Sequence, residues 1–508
     1  MTIETAEPAQ LPILSHWIDG RPVEVLPDQT GPVYNPATGQ VIGRVPRGGA
    51  GEVATAVAAA KAAFPAWRDL PLIARSHVFF AFREQLWQHR DEMAALITRD
   101  HGKTFLDALA EVTRGIETVE FACGLPTHLA GLNAPNVSTN VDVSTLRGPL
   151  GVTAAITPFN FPAMVPMWIY PIAMACGNTL VLKPSSHTPG ATQLQAELWK
   201  AAGLPDGVFN VVYGGREAVK AIVEHPDVKA IQFVGSTAVG RYVYETGTKL
   251  GKRVGAYTSA KNAMIVLPDA DMELTADAAV ASGFGSAGER CMAQTLVIAV
   301  GNASEKLRPL MLERIEKLKI GPGMEPGVDM GPVYTAEHRD SVIRWIDKGE
   351  AEGAELVVDG RRFRHPENPD GFFLGVTLFD HVTPQMEIYK EEIFGPVLGM
   401  VRAETFDEAL GLINSHKYAN GTAIFTTDGG AARRFKLEVN VPMIGVNVPI
   451  PVPVGYLSFG GARESGLGDL GMRGEDGIRF FTQQKVVTER WPEPGRRGAL
   501  SLVFPGSV

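Results

Sequence analysis

Cys291 lies in SGFGSAGERCMAQT, where small residues flank a single thiol. Small neighbours let a substrate approach the backbone closely. A free thiol is only about a few per cent thiolate at pH 7, and a helix N-terminus or a cation such as Arg290 raises that fraction. These residue types suit a covalent nucleophile. They suit equally a cysteine used as a small apolar side chain, which is how Cys123 and Cys176 read. Asn160, in TPFNFP (157–162), is placed to donate a side-chain N–H to a developing oxyanion, although an asparagine before Pro162 also serves simply to turn the chain. The stretch YTSAKN (257–262) precedes the thiol segment and contains no carboxylate to act as its partner.

Phosphate-binding signals are weaker. GSTAVG (235–240) follows the apolar AIQFV and precedes RYVYETGTKL. That order fits a glycine turn with a helix N-terminus facing a cofactor phosphate, and it also fits an ordinary βα turn. GLGDLG (466–471) is a true GxGxxG, but no clear strand precedes it and no clear helix follows, so it reads as a loop. GxSxG, HExxH and Walker patterns are absent, which leaves serine-hydrolase, zincin and P-loop chemistry without support, and no metal site is expected.

The elements that must position these residues alternate. From about residue 150, GVTAAITPF, NTLVLKPS, VFNVVYG and AIQFVGS read as strands, separated by the helical PAMVPMWIYPIAMA, HTPGATQLQAELWKAAG and REAVKAIVEH. Short Val/Ile-rich runs alternating with amphipathic helices imply parallel βαβ units in a doubly wound sheet. The preceding segment is strongly helical. A second α/β pattern follows Lys261, from NAMIVLPDAD through TLVIAV to GTAIFTTD. NVSTNVDVSTLRGPLG (136–151) and FFTQQKVVTERW (480–491) are β-prone and fit neither unit. Paired, they would form an arm with an edge open to another subunit.

With 508 residues the chain is long enough for roughly two to four domains or one large α/β assembly. The net charge of −9, without a basic run or zinc-finger spacing, argues against a nucleic-acid surface. The acidic opening MTIETAEPAQ argues against a signal peptide. AMVPMWIYPIAMAC is too short to span a membrane and is broken by Pro166 and Pro171, so no membrane partner is expected. Three cysteines without a CxxC point to a reducing cytoplasm.

Together, TPFNFP, LVLKPS, FVGSTAVG, GERCMAQT, EEIFGPV (391–397) and LSFGGARESGLGDLG resemble the aldehyde dehydrogenase superfamily, in that family's order and over nearly the whole chain. EVTRGIETVEFACG (111–124), FNVVYGG, AKN, GSAGERCMA and VNVPIPVP (446–453) are most similar to its CoA-acylating methylmalonate-semialdehyde branch. The resemblance implies a Rossmann-like cofactor domain (1–130 and 150–260), an α/β catalytic domain (261–455) and a β-strand oligomerisation arm (131–149 and 478–500). It implies a homodimer or homotetramer.

It also implies roles. Cys291 would be the nucleophile, with Asn160 and the Cys291 backbone N–H as the oxyanion hole. Glu392 would hold the nicotinamide ribose, with Phe394 its neighbour, and Thr157, Phe159, Lys183, Ser236 and Thr258 would contact NAD or NADP. Arg114 and Arg290 resemble a clamp for a substrate carboxylate; a guanidinium fixes a carboxylate's angle as well as its charge, and each arginine also suits a structural ion pair. Hydrolytic relatives carry a water-activating Glu where this chain has Tyr257, a poor base at pH 7. CoA-acylating relatives lack that Glu and pass the thioester to the CoA thiol. The implied reaction therefore converts malonate or methylmalonate semialdehyde to an acyl-CoA with reduction of NAD(P). A hydrolytic aldehyde dehydrogenase and a non-enzymatic cofactor-binding relative are the competing readings. Ser259, where relatives usually have Gly, is a further departure.

In KPSSHTP (183–189) the family commonly has Glu three residues after Lys183, bonded to the adenosine ribose. Here Ser186 stands there, with Lys183 and His187 adding positive charge. A serine does not repel a 2′-phosphate, so NADP is expected to be accepted comparably with NAD, against the habit of the branch.

Overall fold

The computed structural model describes residues 11–491, so residues 1–10 of the expected cofactor domain and 492–500 of the expected arm lie outside the described residues. Two sheets dominate. The first has eight strands in the order Arg21–Val23, His16–Ile18, Phe209–Val211, Thr179–Lys183, Val152–Ile156, Val228–Val234, Arg253–Tyr257 and Gly466–Leu467. Its five central strands are parallel and its outer pairings antiparallel. VTAAI is buried at every position, as a parallel strand covered on both faces must be. The order reverses at Val152–Ile156: later strands add first on one side, then on the other. Such a switch opens a crevice at the strands' carboxyl ends, where ligands bind in doubly wound sheets.

The second sheet runs Glu355–Val358, Thr377–Asp380, Val397–Ala403, Gln294–Val300, Asn262–Val266, Gly421–Phe425 and Met443–Val446, parallel except for its first pair. The chain crosses between the sheets at Tyr257–Asn262, so YTSAKN joins the carboxyl end of one sheet to the start of the other. Thr157, Lys183, Ser236 and Thr258 sit at or just beyond carboxyl ends in the first sheet, while Cys291 and Glu392 lie just before strands of the second. The two sets meet across this crossing.

Thr482–Arg490 pairs antiparallel with Val141–Pro149 over nine residues, and Asn133–Ser138 completes a three-stranded sheet. GLGDLG differs from the expected loop at its start: Gly466 and Leu467 pair with Tyr257 and Ala256. A Cβ at Gly466 would lie 2.3 Å from the Gly461 carbonyl, so the glycine serves a loop folded onto itself. The hairpins His16–Val23 and Thr30–Pro46 carry apolar runs too short to signal strands; Trp17 opposite Val211 adds the first of them to the main sheet. No helix of the described residues is long and apolar enough to cross a membrane.

Candidate active site

The thiol loop begins where the helix Met272–Phe284 ends. Ser286 (φ 54°), Ala287 (φ 52°) and Gly288 (φ 73°) then turn through the left-handed region. A Cβ at Gly288 would lie 2.1 Å from the Gly395 carbonyl, so only glycine lets this loop press against the Glu392–Gly395 segment. Cys291 follows, partly buried. Its carbonyl accepts Asn262 Nδ2 at 2.9 Å and Asn420 Nδ2 at 3.0 Å. Sequence reasoning assigned neither asparagine a role; the only signal was Asn262 within the AKN segment. Burial, and secondarily the Glu392 charge, push the Cys291 thiol up to about 12.

Asn160 is held from both ends. Its Nδ2 donates to the Glu289 carbonyl at 2.9 Å, which uses one of two amide hydrogens. Its own carbonyl accepts Lys103 Nζ at 2.6 Å. Lys103 in turn pairs with Glu111 at 2.8 Å, both sealed from solvent, and Glu111 also accepts the N–H groups of Ala163 and Met164. A buried pair broken by losing one partner costs about 3–5 kcal/mol. Lys103→Met is therefore expected to lower the denaturation midpoint and the rate together, because Glu111 is left unpaired and the Asn160 loop loses its tether. A full-rate variant of unchanged midpoint would contradict this.

Behind Asn160 sits a second buried carboxyl. Glu289 accepts the Tyr334 N–H at 3.3 Å and lies 3.4 Å from His101 and 3.6 Å from His338; burial raises it well above the usual carboxylate range. Phe159 stacks on Tyr334 at 3.5 Å and meets Phe394 edge-on at 5.8 Å. Phe394 has φ 59°, and its carbonyl takes a 2.7 Å bond from His338.

The Glu392 carboxylate accepts the Ala260 N–H at 3.0 Å; burial raises it, and the Ala260 N–H, the Ser259 hydroxyl nearby and Lys261 counter that. Ser259, which had no reading from sequence, lies near this glutamate, and Ser465 Oγ donates to the Ser259 carbonyl at 2.8 Å. Thr258 is buried, its N–H on the Ser465 carbonyl at 3.0 Å. The Thr157 hydroxyl is buried without a partner. Lys183 ends its strand with an ammonium that burial lowers to about 8. Ser236 precedes the helix Thr237–Lys249 and makes no capping bond. Ser186 is half-buried beyond Lys183, and the exposed His187 ring stands 5.2 Å from Tyr334. An uncommitted hydroxyl, a helix start and a cation along one row of strand ends fit a dinucleotide.

Tyr257 is buried, its hydroxyl donates to the Leu470 carbonyl at 2.8 Å, and burial drives it far above the ordinary phenol range. The two arginines both reach the helix Phe105–Cys123 but share no partner. Arg114 bonds Glu117 at 2.8 Å and the carbonyls of Val452 and Pro453 at 3.1 and 3.2 Å. Arg290 bonds Asp107 at 2.7 Å.

A thiol loop, an amide donor and a held glutamate at the end of a doubly wound sheet define the aldehyde dehydrogenase class, and the sequence comparison agrees. The aldehyde dehydrogenase family model matches residues 25–487, and this chain belongs to that family. It is 50% identical to the malonate-semialdehyde dehydrogenase of Pseudomonas aeruginosa over 495 residues, covering 97% of this chain and 99% of that one. It is 45% identical over 485 residues to the acylating, mitochondrial methylmalonate-semialdehyde/malonate-semialdehyde dehydrogenase of Rattus norvegicus, covering 96% and 90%. A crystal structure from Sinorhizobium meliloti, complexed with NAD, superposes with a TM-score of 0.94 at 45% identity, covering 96% and 99%.

Proposed function

We propose that this chain oxidises malonate or methylmalonate semialdehyde and transfers the acyl group to CoA. The observation that carries the reading is Tyr257: where hydrolytic members hold a carboxylate, this chain holds a buried phenol whose proton is committed to Leu470. The semialdehyde specificity rests on Arg114 and Arg290 and on the likeness to the malonate-semialdehyde dehydrogenases.

Cys291 adds as thiolate to the aldehyde carbon. The oxyanion that forms is met by the second Asn160 N–H and the Cys291 backbone N–H, donors whose placement is set by Lys103, Glu289, Asn262 and Asn420. Thr157, Phe159, Lys183, Ser236, Thr258, Glu392 and Phe394 would hold NAD or NADP, with Ser186 and His187 at the adenosine end. The bound nicotinamide supplies a hydride acceptor, and a thioester on Cys291 remains. The malonyl or methylmalonyl thioester on Cys291 loses CO₂ and takes up a proton in its place, and the CoA thiol then displaces Cys291 to give acetyl-CoA or propanoyl-CoA. The two-domain division at residue 261, assembly through the three-stranded sheet as a dimer or tetramer, and a cytoplasmic location belong to the same proposal. The test is identification of the acyl-CoA product together with NAD(P)H formed in equal amount.

Ser186 carries the cofactor prediction. Ser186→Glu is expected to lower kcat/KM for NADP roughly tenfold or more, about 1.4 kcal/mol for a lost contact plus repulsion. Should the unmodified chain already prefer NAD a hundredfold, Ser186 does not set the choice.

A further inference from the structure

Arg473 is among the largest side chains sealed inside the chain, 1% exposed, and it takes no part in the steps above. It lies 4.4 Å from the Trp168 ring and 5.8 Å from Phe459. Its Nη2 donates to the Pro453 carbonyl, the same oxygen that Arg114 reaches. Its Nε is buried without a partner, and no ion pair reaches it among the described residues. Burial first, then the Arg114 charge, lower it to about 9, so it is still charged at neutral pH.

The surroundings point toward the thiol. Trp168 lies on the helix Met164–Ala175 that follows Asn160, and Phe459 lies on the glycine-rich loop that receives the Tyr257 hydroxyl. Both belong to the apolar cluster against which Cys291 packs. Arg114 is neutralised by Glu117 and Arg290 by Asp107, so these two pairs sum to no net charge. Such pairs can orient a substrate carboxylate by hydrogen bonds but add little net attraction for its charge. Beside the first pair, Arg473 adds a second cation that must share the one Glu117 carboxylate, so the Arg114–Arg473–Glu117 group carries net positive charge, costly when buried until an anion completes it.

We propose that Arg473 determines specificity: it braces the Val452–Pro453 turn against Arg114 and supplies the net positive charge that selects an aldehyde bearing a carboxylate. This rests on the reading that Arg114 faces the substrate carboxylate. The test compares the full chain with Arg473→Gln, which keeps a donor for Pro453 but drops the charge, Arg473→Lys, which keeps the charge, and Arg114→Leu. Each is assayed for KM and kcat with malonate semialdehyde and with propanal. Arg473→Gln should raise KM for the semialdehyde about tenfold or more, the scale of a lost charge-assisted bond, with kcat and the propanal KM little changed. Arg473→Lys should retain most of the preference. If Arg114→Leu discriminates between the aldehydes and Arg473→Gln does not, the inference fails while the Arg114 reading stands. If Arg114→Leu affects both aldehydes equally, the Arg114 reading fails first. Should the Gln variant not fold, a folded Lys variant that loses the preference overturns the charge argument. Equal losses on both aldehydes in the Gln and Lys variants would show a purely structural residue.

Discussion

Cys291→Ser should cut NAD(P)H formation by about 10⁴-fold or more, the scale set by removing a nucleophile that acts as one unit with its site. Cofactor binding should survive, because the loop is tethered through the Cys291 carbonyl and not through its sulfur. The thiol itself makes a second, sharper statement. Pushed up to about 12 by burial, it is almost wholly protonated at pH 7, and its ionised fraction rises with pH. Alkylation of the free chain by iodoacetamide should therefore be slow at pH 7 and climb steeply between about pH 7 and 10. Burial is the larger cause and the Glu392 charge the next, so Glu392→Gln should speed alkylation at fixed pH by lowering the thiol. Cys123 and Cys176 are buried and likewise pushed up to about 12, so mass mapping should find the label on Cys291. Rapid, pH-independent labelling at pH 7 without cofactor would contradict this account.

What was legible in the sequence follows the range of the interaction. Runs dominated by apolar residues, such as VTAAI and TLVLK, announced parallel strands, because burial on both faces removes the regular polar alternation. The glycine and proline turns after those strands announced where ligands could bind. The three-residue strand His16–Ile18 was silent, since only its pairing with Val211 makes it a strand. Asn262, Asn420, Lys103 and Glu111 were silent for the same reason: each reaches the site through a distant partner, 159 residues in the bond from Gly421 to Asn262, 129 from Asn420 to Cys291, 57 from Lys103 to Asn160 and 52 from Glu111 to Ala163. Ser259 was visible only as an oddity until its carbonyl met Ser465 from a loop 206 residues away. The two arginines show the reverse limit. Their residue type fitted a carboxylate clamp; Glu117 lies three residues after Arg114, a helical pairing that spacing allows, but Asp107, 183 residues from Arg290, could not be seen from spacing alone.

Given malonate semialdehyde and NAD but no CoA, the chain should release one equivalent of NADH per active site in a burst and then nearly stop. Adding CoA should raise the steady rate by about 10²-fold or more, because a missing general base is worth roughly 10²–10⁴. The surroundings of the thioester hold no group fit to activate water. A water molecule there needs a group to take its proton. Tyr257 cannot serve, since burial holds its proton on and that proton is spent on the Leu470 carbonyl. The neighbours in the same cluster, Met292, Met443 and Phe459, offer no base at all. Glu392 is near enough to act on the thiol's charge, but its carboxylate already accepts the Ala260 N–H. A thiol nucleophile needs less help, because a few per cent of it is thiolate in solution. Two variants sharpen the test. Tyr257→Phe should keep the CoA requirement intact, since the hydroxyl performs no chemistry in this account. Tyr257→Glu should introduce measurable turnover without CoA, with the free acid as product. Steady turnover of the unmodified chain at the same rate with and without CoA would overturn the acyl-transfer reading, and loss of the CoA requirement in Tyr257→Phe would make the phenol a participant after all.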